Sequence, residues 1–556
     1  MTSRFHFILL SLIFIFGTFL RFYRLGDIPN GYTPDELAQG YTAYSLLQTG
    51  KDEWGRHDWL NFRSFGDFKP PLQTWLLIPS VKIFGLTPWA IRLPNALLSS
   101  LAIITTYLVT LSLFSSPVTA LLAALFLAIS PWHLPMSRLG LEANLTVFLS
   151  SLGLYLLLTY SHSRQIMALA ALIFGLNLFS YHSAKLITPL IVIFTIFYLK
   201  PNLRRLQSSY FIFAFIFFLF ACLNLATLFQ GSAARSSDIA IFKPTDRWLA
   251  LSQSQYEAIQ NGLPSPVSRI LNNKVTFILD QFTTNYFSYF SPQFLITTGA
   301  GETTYGMIPG FGVLGLAVFV GIIGSLVALH TRRSTSASWL LFIIIVLSPI
   351  PASLAKGSYS ANRVSIMMPY LQILAASGLI WLGSQFPKHL YQTFFWSALL
   401  LLFVFETLNF FQTYFFQGNA ILAHGLLYGH RQAIDYYHQT PNIDQVIYSR
   451  RLSEPQTYTM FFDRTPPSTV QSQASSWLQY QQLGKTFLDQ LPEYKLDKFT
   501  FKEINITSDK LQPRTLIIGR PDEFNGTAPD YVIYYPSANE LKPAIYLYST
   551  SLHLSS

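Results

Sequence analysis

Two stretches of the 556-residue sequence combine residue types able to accept a proton and to hold an anion. The first reads Gly31-Tyr-Thr-Pro-Asp35-Glu36-Leu-Ala-Gln-Gly40, the second Phe65-Gly-Asp67-Phe-Lys69-Pro-Pro71. A carboxylate such as Asp35 or Glu36, within hydrogen-bond reach of a hydroxyl, can act as a general base. A lysine followed by two prolines, as Lys69 is, sits on a stiffened backbone and can hold a cation where a leaving phosphate develops charge. Each feature also has a plainer reading. Thr33 as N-cap, Pro34 at the first helical position and acids in the first turn make a good helix start, which accounts for Asp35 and Glu36 without chemistry. Lys69 can equally snorkel from an apolar segment to an interface.

Further candidates lie in short loops between apolar runs. Arg138 and Glu142 stand four apart in Ser137-Arg-Leu-Gly-Leu-Glu-Ala-Asn144, the spacing of an ordinary helix-surface ion pair. His182 and Lys185 follow one another in Tyr181-His-Ser-Ala-Lys185, where His182 reads first as a hydrogen-bonded interfacial residue and only second as a base. Arg363 precedes an apolar run and can serve as a boundary anchor. What unites these residues is one membrane face, where they would meet an anionic, lipid-linked ligand. No cofactor is implied. Cys/His metal spacing is absent, and a divalent ion held between Asp35, Glu36 and Asp67 stays an open alternative.

The elements that must position these residues follow from composition. Half the residues are hydrophobic (51%) and 12% are charged, against about 25% charged in a soluble domain. The chain therefore reads as a polytopic α-helical membrane protein. Spans are expected near 5–22, 93–114, 117–134, 144–161, 166–183, 186–199, 210–229, 311–330, 339–355, 364–384 and 393–411. The run 72–86, broken by Pro79 and Lys82, is too short to cross and reads as an interfacial helix. About 11 spans with a cytoplasmic N-terminus then place Arg164, Lys200, Arg204, Arg205, Arg332, Arg333 and Lys388 inside. Counting 72–86 as a crossing would put the Lys200–Arg205 and Arg332–Arg333 clusters outside, against the positive-inside rule. The net charge of +10 thus reports orientation and is no nucleic-acid footprint. The lone cysteine, Cys222, reads as a small buried side chain.

This topology puts residues 23–92, 230–310 and everything after about 412 on the outer side. The last piece changes character: β-branched and aromatic runs at 445–449, 515–519, 530–535 and 544–548, with a helical candidate near 475–490, read as a small extracytoplasmic α/β domain. It follows a membrane domain of residues 1–411 and shows no phosphate loop or nucleophile elbow.

The combination of TPDELAQGYTAYSLLQTGKDEWG, SFGDFKPPL, Arg92-Leu-Pro94, SRLGLEAN, YHSAKL and ANRVSIMMP resembles bacterial members of glycosyltransferase family 39. These include protein O-mannosyltransferases and lipid A aminoarabinose transferases. The resemblance implies the type-C integral-membrane glycosyltransferase fold and a sugar donor on a polyprenyl phosphate. It implies a protein or glycolipid acceptor and a site at the outer face of the plasma membrane. It assigns Asp35, with Glu36 beside it, as catalytic, and Lys69, Arg138 and Arg363 to the donor phosphate. Asp67, Glu142, His182 and Lys185 become supporting residues. The sequence departs from the family at Phe68, where an acid is usual, and at Lys185, often an arginine; the lipid A enzymes' metal pattern is not recognisable. A transporter or flippase for a lipid-linked precursor is the rival reading. It fits the many spans but not their near lack of acids, among which Glu406 is the exception.

Overall fold

In the computed structural model the described residues are 3–64, 68–200, 208–227, 241–242, 247–357, 360–485, 488–537 and 540–553. Asp67, Arg204 and Arg205 lie outside them. Each expected span coincides with a helix. Seven of these helices are long and apolar enough to cross a membrane, and four (117–128, 164–177, 184–199 and 316–330) are apolar but shorter. This is a membrane protein.

The elements that matter for the site come early. Helix α1 (Ser3–Phe22) is followed by α2 (Pro34–Thr49), a two-stranded ribbon of β1 (Phe62–Arg63) and β2 (Phe68–Lys69), then α3 (Pro71–Phe84) and α4 (Pro88–Phe114). Helix α3 covers the run read as interfacial; it has 14 residues, carries Pro79 in its interior and packs against both α2 and α4. Farther along, the helices 316–330 and 368–384 pack at very short range: a Cβ added at Gly378 would collide with the Gly321 carbonyl and the Ser325 amide. Small residues at such a crossing let backbones approach, which is how helices associate where water supplies no hydrophobic drive. Cys222 departs from expectation: it is exposed on the 208–227 helix, whose surface is largely unburied, so the side chain faces the surroundings of the bundle and not its core.

The chain after the last long helix (His389–Gln412) forms a six-stranded sheet. Its strands are β3 (Gln445–Ser449), β4 (Glu493–Leu496), β5 (Phe499–Lys502), β6 (Thr515–Gly519), β7 (Tyr531–Tyr534) and β8 (Pro543–Ser549), in the order β4-β5-β3-β6-β8-β7. The three central strands are parallel and the outer pairings antiparallel. β6 is buried at every position, as expected of a strand covered on both faces. The apolar runs at 445–449, 515–519, 530–535 and 544–548 are all strands; β4 and β5, with their charged lysines, were not legible. The expected helix near 475–490 lies mostly earlier, at Pro467–Trp477, because Pro466–Pro467 starts it.

The sheet does not stand apart. Leu37, Tyr41, Leu77 and Ile91 of the first loop share one hydrophobic cluster with Val446, Tyr458, Phe461 and Leu516. The Tyr458 hydroxyl donates to the Tyr32 carbonyl at 2.6 Å, and the Tyr41 hydroxyl to the Thr465 carbonyl at 2.6 Å.

Candidate active site

Helix α2 starts as its sequence requires. Thr33 Oγ1 accepts the Glu36 amide at 3.2 Å while Glu36 Oε1 accepts the Thr33 amide at 3.1 Å, a reciprocal capping box with Pro34 at the first position. This cap sends the two neighbouring acids in different directions.

Asp35 points to a partly open site. Its side chain is 38% exposed, and Oδ1 lies 2.8 Å from the Nζ of Lys69, which is buried. Lys69 arrives at the end of the β1–β2 ribbon, and Pro70–Pro71 turn the chain at once into α3. Burial alone would lower the Lys69 ammonium, but the carboxylates of Asp35 and Glu142 outweigh it and hold the group above its usual range, so it is fully cationic. Glu142 is buried as well and accepts from Gln39 Nε2 at 2.8 Å; Gln39 sits one helical turn beyond Asp35.

Glu36 turns inward. It is fully buried, with Arg92 Nε donating to Oε2 at 3.2 Å and Arg92 Nη2 to Oε1 at 3.1 Å. The Gly140 amide donates to Oε2 at 2.9 Å. A Cβ at Gly140 would stand 3.0 Å from the Ile91 carbonyl and 3.1 Å from Glu36 Cβ, so any larger residue would push these neighbours back. Arg92 in turn donates to the carbonyls of Leu25, Pro29 and Gly31, at 3.2, 2.7 and 2.7 Å. Of the two acids expected to be catalytic, Glu36 is the one whose carboxylate is bonded within the protein, to Arg92, Thr33 and Gly140. Glu36 and Arg92 together fasten α2, the 25–31 turn and the 138–142 loop around Asp35.

Arg138, expected at the donor phosphate, is likewise engaged within the protein. It is fully buried and donates to the carbonyls of Leu20 (2.6 Å), Arg21 (3.0 Å), Tyr23 (2.6 Å) and Ile28 (2.8 Å), with Phe415 under its guanidinium. These carbonyls engage both terminal nitrogens, so Arg138 locks the chain as it leaves α1. It does not pair with Glu142, because the chain between them is a bend and a short 3₁₀ turn (Glu142–Asn144) and no continuous helix.

The remaining candidates gather near Lys69. His182 is held at about 3 by burial and by Lys185 and Lys69, against the opposing pull of a hydrogen bond with the Phe68 backbone, so its imidazole is neutral. Lys185 lines a narrow crevice with Phe68, Pro70, His182 and Asn224. Arg363 is half-buried; its one hydrogen bond, to the Lys356 carbonyl, is long at 3.5 Å, and it makes no ion pair among the described residues. Sequence reasoning missed three groups here. Tyr305 is pushed up to about 12 by burial and by Asp35 and Glu302, with Lys69 and Arg363 opposing. Tyr181 is pushed up by burial and lies within the same field, sensing Tyr305, Glu142, Arg363 and Lys69. Glu302, raised to about 7 by burial, accepts the Ala361 amide at 2.9 Å and so ties down the loop that carries Arg363. Nothing in the Glu302-Thr-Thr-Tyr305 spacing signals chemistry; only the fold brings it opposite Asp35. Among the described residues no three His, Cys, Asp or Glu side chains converge as a metal-binding set.

The arrangement offers a partly exposed carboxylate, a buried lysine, two further cations and two tyrosine hydroxyls within electrostatic reach of one another. Residues 68–226 match the family model described as dolichyl-phosphate-mannose-protein mannosyltransferase. That segment begins at Phe68, so it includes Lys69 and excludes Asp35. Among solved structures the chain is similar to ArnT from Cupriavidus metallidurans in the apo state, at 14% identity with a TM-score of 0.52, covering 98% of both chains. It is similar to the same protein bound to undecaprenyl phosphate, at 14% identity with a TM-score of 0.50, covering 97% of both. No curated protein matches it significantly in sequence. End-to-end likeness at this identity defines architecture, and together with the matched segment it gives the chain the type-C integral-membrane glycosyltransferase fold.

Proposed function

We propose that the chain is a glycosyltransferase that moves a sugar from a polyprenyl-phosphate donor to an acceptor hydroxyl at the outer face of the plasma membrane, inverting the anomeric carbon. The observation that carries this reading is the 2.8 Å pair between partly exposed Asp35 and buried Lys69. Without donor, Lys69 neutralises Asp35 and keeps it a weak base. A donor phosphate entering beside Lys69, with Lys185 and Arg363 near, draws the ammonium toward itself. Asp35 then becomes more basic just when an acceptor needs deprotonation. The acceptor oxygen bonds to the anomeric carbon, its proton passes to Asp35, and the carbon–oxygen bond to phosphate breaks with its electron pair on the lipid phosphate. Lys69 in its drawn position, with Lys185 and Arg363 near, stabilises that charge. The ArnT structure with undecaprenyl phosphate supports this donor class. We further assign residues 1–411 to the membrane transferase unit and 412–556 to an extracytoplasmic unit, the orientation resting on the basic loops.

The test is to incubate purified protein with labelled polyprenyl-phosphate sugars and an acceptor pool and to follow free polyprenyl phosphate. Wild type releases it, and Asp35→Asn, still folded, does not. Near-normal turnover by Asp35→Asn removes the assignment.

A further inference from the structure

Glu406, the acid that sequence reasoning left without a role, lies in the outermost long helix, His389–Gln412, of which only 6% of the apolar window is buried. Its carboxylate accepts the amides of Leu316 at 2.8 Å and Ala317 at 3.2 Å, capping the start of the 316–330 helix from outside. An aspartate, asparagine, serine or threonine at the N-cap itself performs that service in most helices; here the N-cap is Gly315 and the acid comes from a different helix. A helix terminus offers only about half a positive charge, which leaves a full carboxylate under-compensated at an apolar surface.

What surrounds Glu406 supplies the second observation. A cavity of about 190 Å³ opens beside it, bordered by Ser130, Gly310, Gly312 and Asn409 and containing no lysine, arginine or histidine in its lining. Phe126 and Phe403 also line a second cavity of about 110 Å³, so the two lie side by side. The second is wholly apolar, walled by Leu122, Leu125, Ala317, Leu379, Trp396 and Leu399. From Trp396 to Phe410 the helix rises roughly 21 Å, somewhat more than one leaflet of a hydrocarbon core about 30 Å thick. The groove therefore has an acidic end near the end of its helix and an apolar trough one acyl chain long.

We infer that this groove holds a single phospholipid with an ammonium headgroup, its cation against Glu406 and one chain along Leu125, Leu399 and Trp396. The charge complement selects the class: an ammonium gains a carboxylate that no cation meets among the described residues, whereas a headgroup whose only charge is its phosphate lacks that partner and is repelled. The site lies apart from the Asp35–Lys69 opening and does not depend on the reaction proposed there.

The experiment reconstitutes the full chain in nanodiscs containing equal parts palmitoyl-oleoyl phosphatidylethanolamine and phosphatidylglycerol, then counts retained lipids by native mass spectrometry. Wild type should retain one phosphatidylethanolamine, preferred over phosphatidylglycerol by about fivefold, the scale of one partly exposed charge pair. Glu406→Gln, which can still accept an amide, should lose the preference but keep a lipid. Leu125→Trp, which fills the trough and leaves Glu406 in place, should lose the retained lipid with an unchanged melting curve. Equal retention of the two lipids by wild type, or undiminished retention by Leu125→Trp, overturns the proposal.

Discussion

The Lys69 ammonium stands 2.8 Å from the Asp35 carboxylate while remaining almost wholly buried, so the proposed base and the cation that lowers its basicity are one ion pair. Breaking the pair from either side should give different kinetics. Asp35→Asn should lower turnover by about 10²- to 10⁴-fold, the usual worth of a general base, with donor affinity nearly unchanged. Lys69→Met should chiefly weaken donor use, raising the donor KM. Steady-state kinetics with a polyprenyl-phosphate sugar separate the two, and a Lys69→Met variant with normal donor KM would count against a phosphate contact.

Arg92 should matter more for the fold than for the chemistry. Arg92→Leu leaves Glu36 charged and buried with its strongest partner gone, a change worth about 3–5 kcal/mol. The double variant Glu36→Gln/Arg92→Met removes both charges and should recover much of that loss. Thermal unfolding in detergent reads the contrast; equal destabilisation by the single and double variants would show that the charge pair is not what holds α2.

Arg138 and Arg363, two arginines of equal promise in sequence, should part company on substitution. Arg138→Leu orphans the carbonyls of Leu20, Arg21, Tyr23 and Ile28 and should reduce folded yield. Arg363→Ala should leave the melting temperature within error and raise the donor KM. Size-exclusion profiles and donor titrations check the pair.

Glu53 supplies a pH dependence. Burial, with Asp52 adding, pushes its carboxyl up to about 8 from 4.5, and Thr42 Oγ1 donates to it at 2.8 Å. A group whose folded value is raised keeps its proton in the folded chain while the unfolded chain loses it. Stability from Glu53 is therefore full below pH 4.5 and declines as pH rises toward 8. Glu53→Gln should flatten that decline and raise the melting temperature at pH 8, measured by intrinsic fluorescence. A steeper decline in the variant would reverse the sign.

Much of this was legible in residue types. Apolar runs gave the spans, Thr33-Pro34 gave the cap of α2, and β-branched runs gave four strands of the sheet. What escaped was direction. Two adjacent acids on a helix point about 100° apart, and no sequence rule says which faces the opening. Arg92 looked like part of a motif, yet it binds three carbonyls and Glu36 because α4 passes beneath the 25–31 turn. Tyr181, Glu302 and Tyr305 come from segments far apart in the chain, and periodicity carries no information about such meetings. The roles of Lys185 and Arg363 rest on that same convergence.

The shared cluster of Tyr41, Ile91, Val446 and Leu516 bears on biosynthesis. Tyr32 and Tyr458 are 426 residues apart, and the hydrogen bond between them cannot form until the ribosome has made both. At about 5–20 residues per second the first external segment waits roughly 20–85 s for its packing partner. During that interval α2 has its cap but lacks the part of its core that the later chain supplies. Under the proposed function, a product truncated before Tyr458 should therefore release no polyprenyl phosphate.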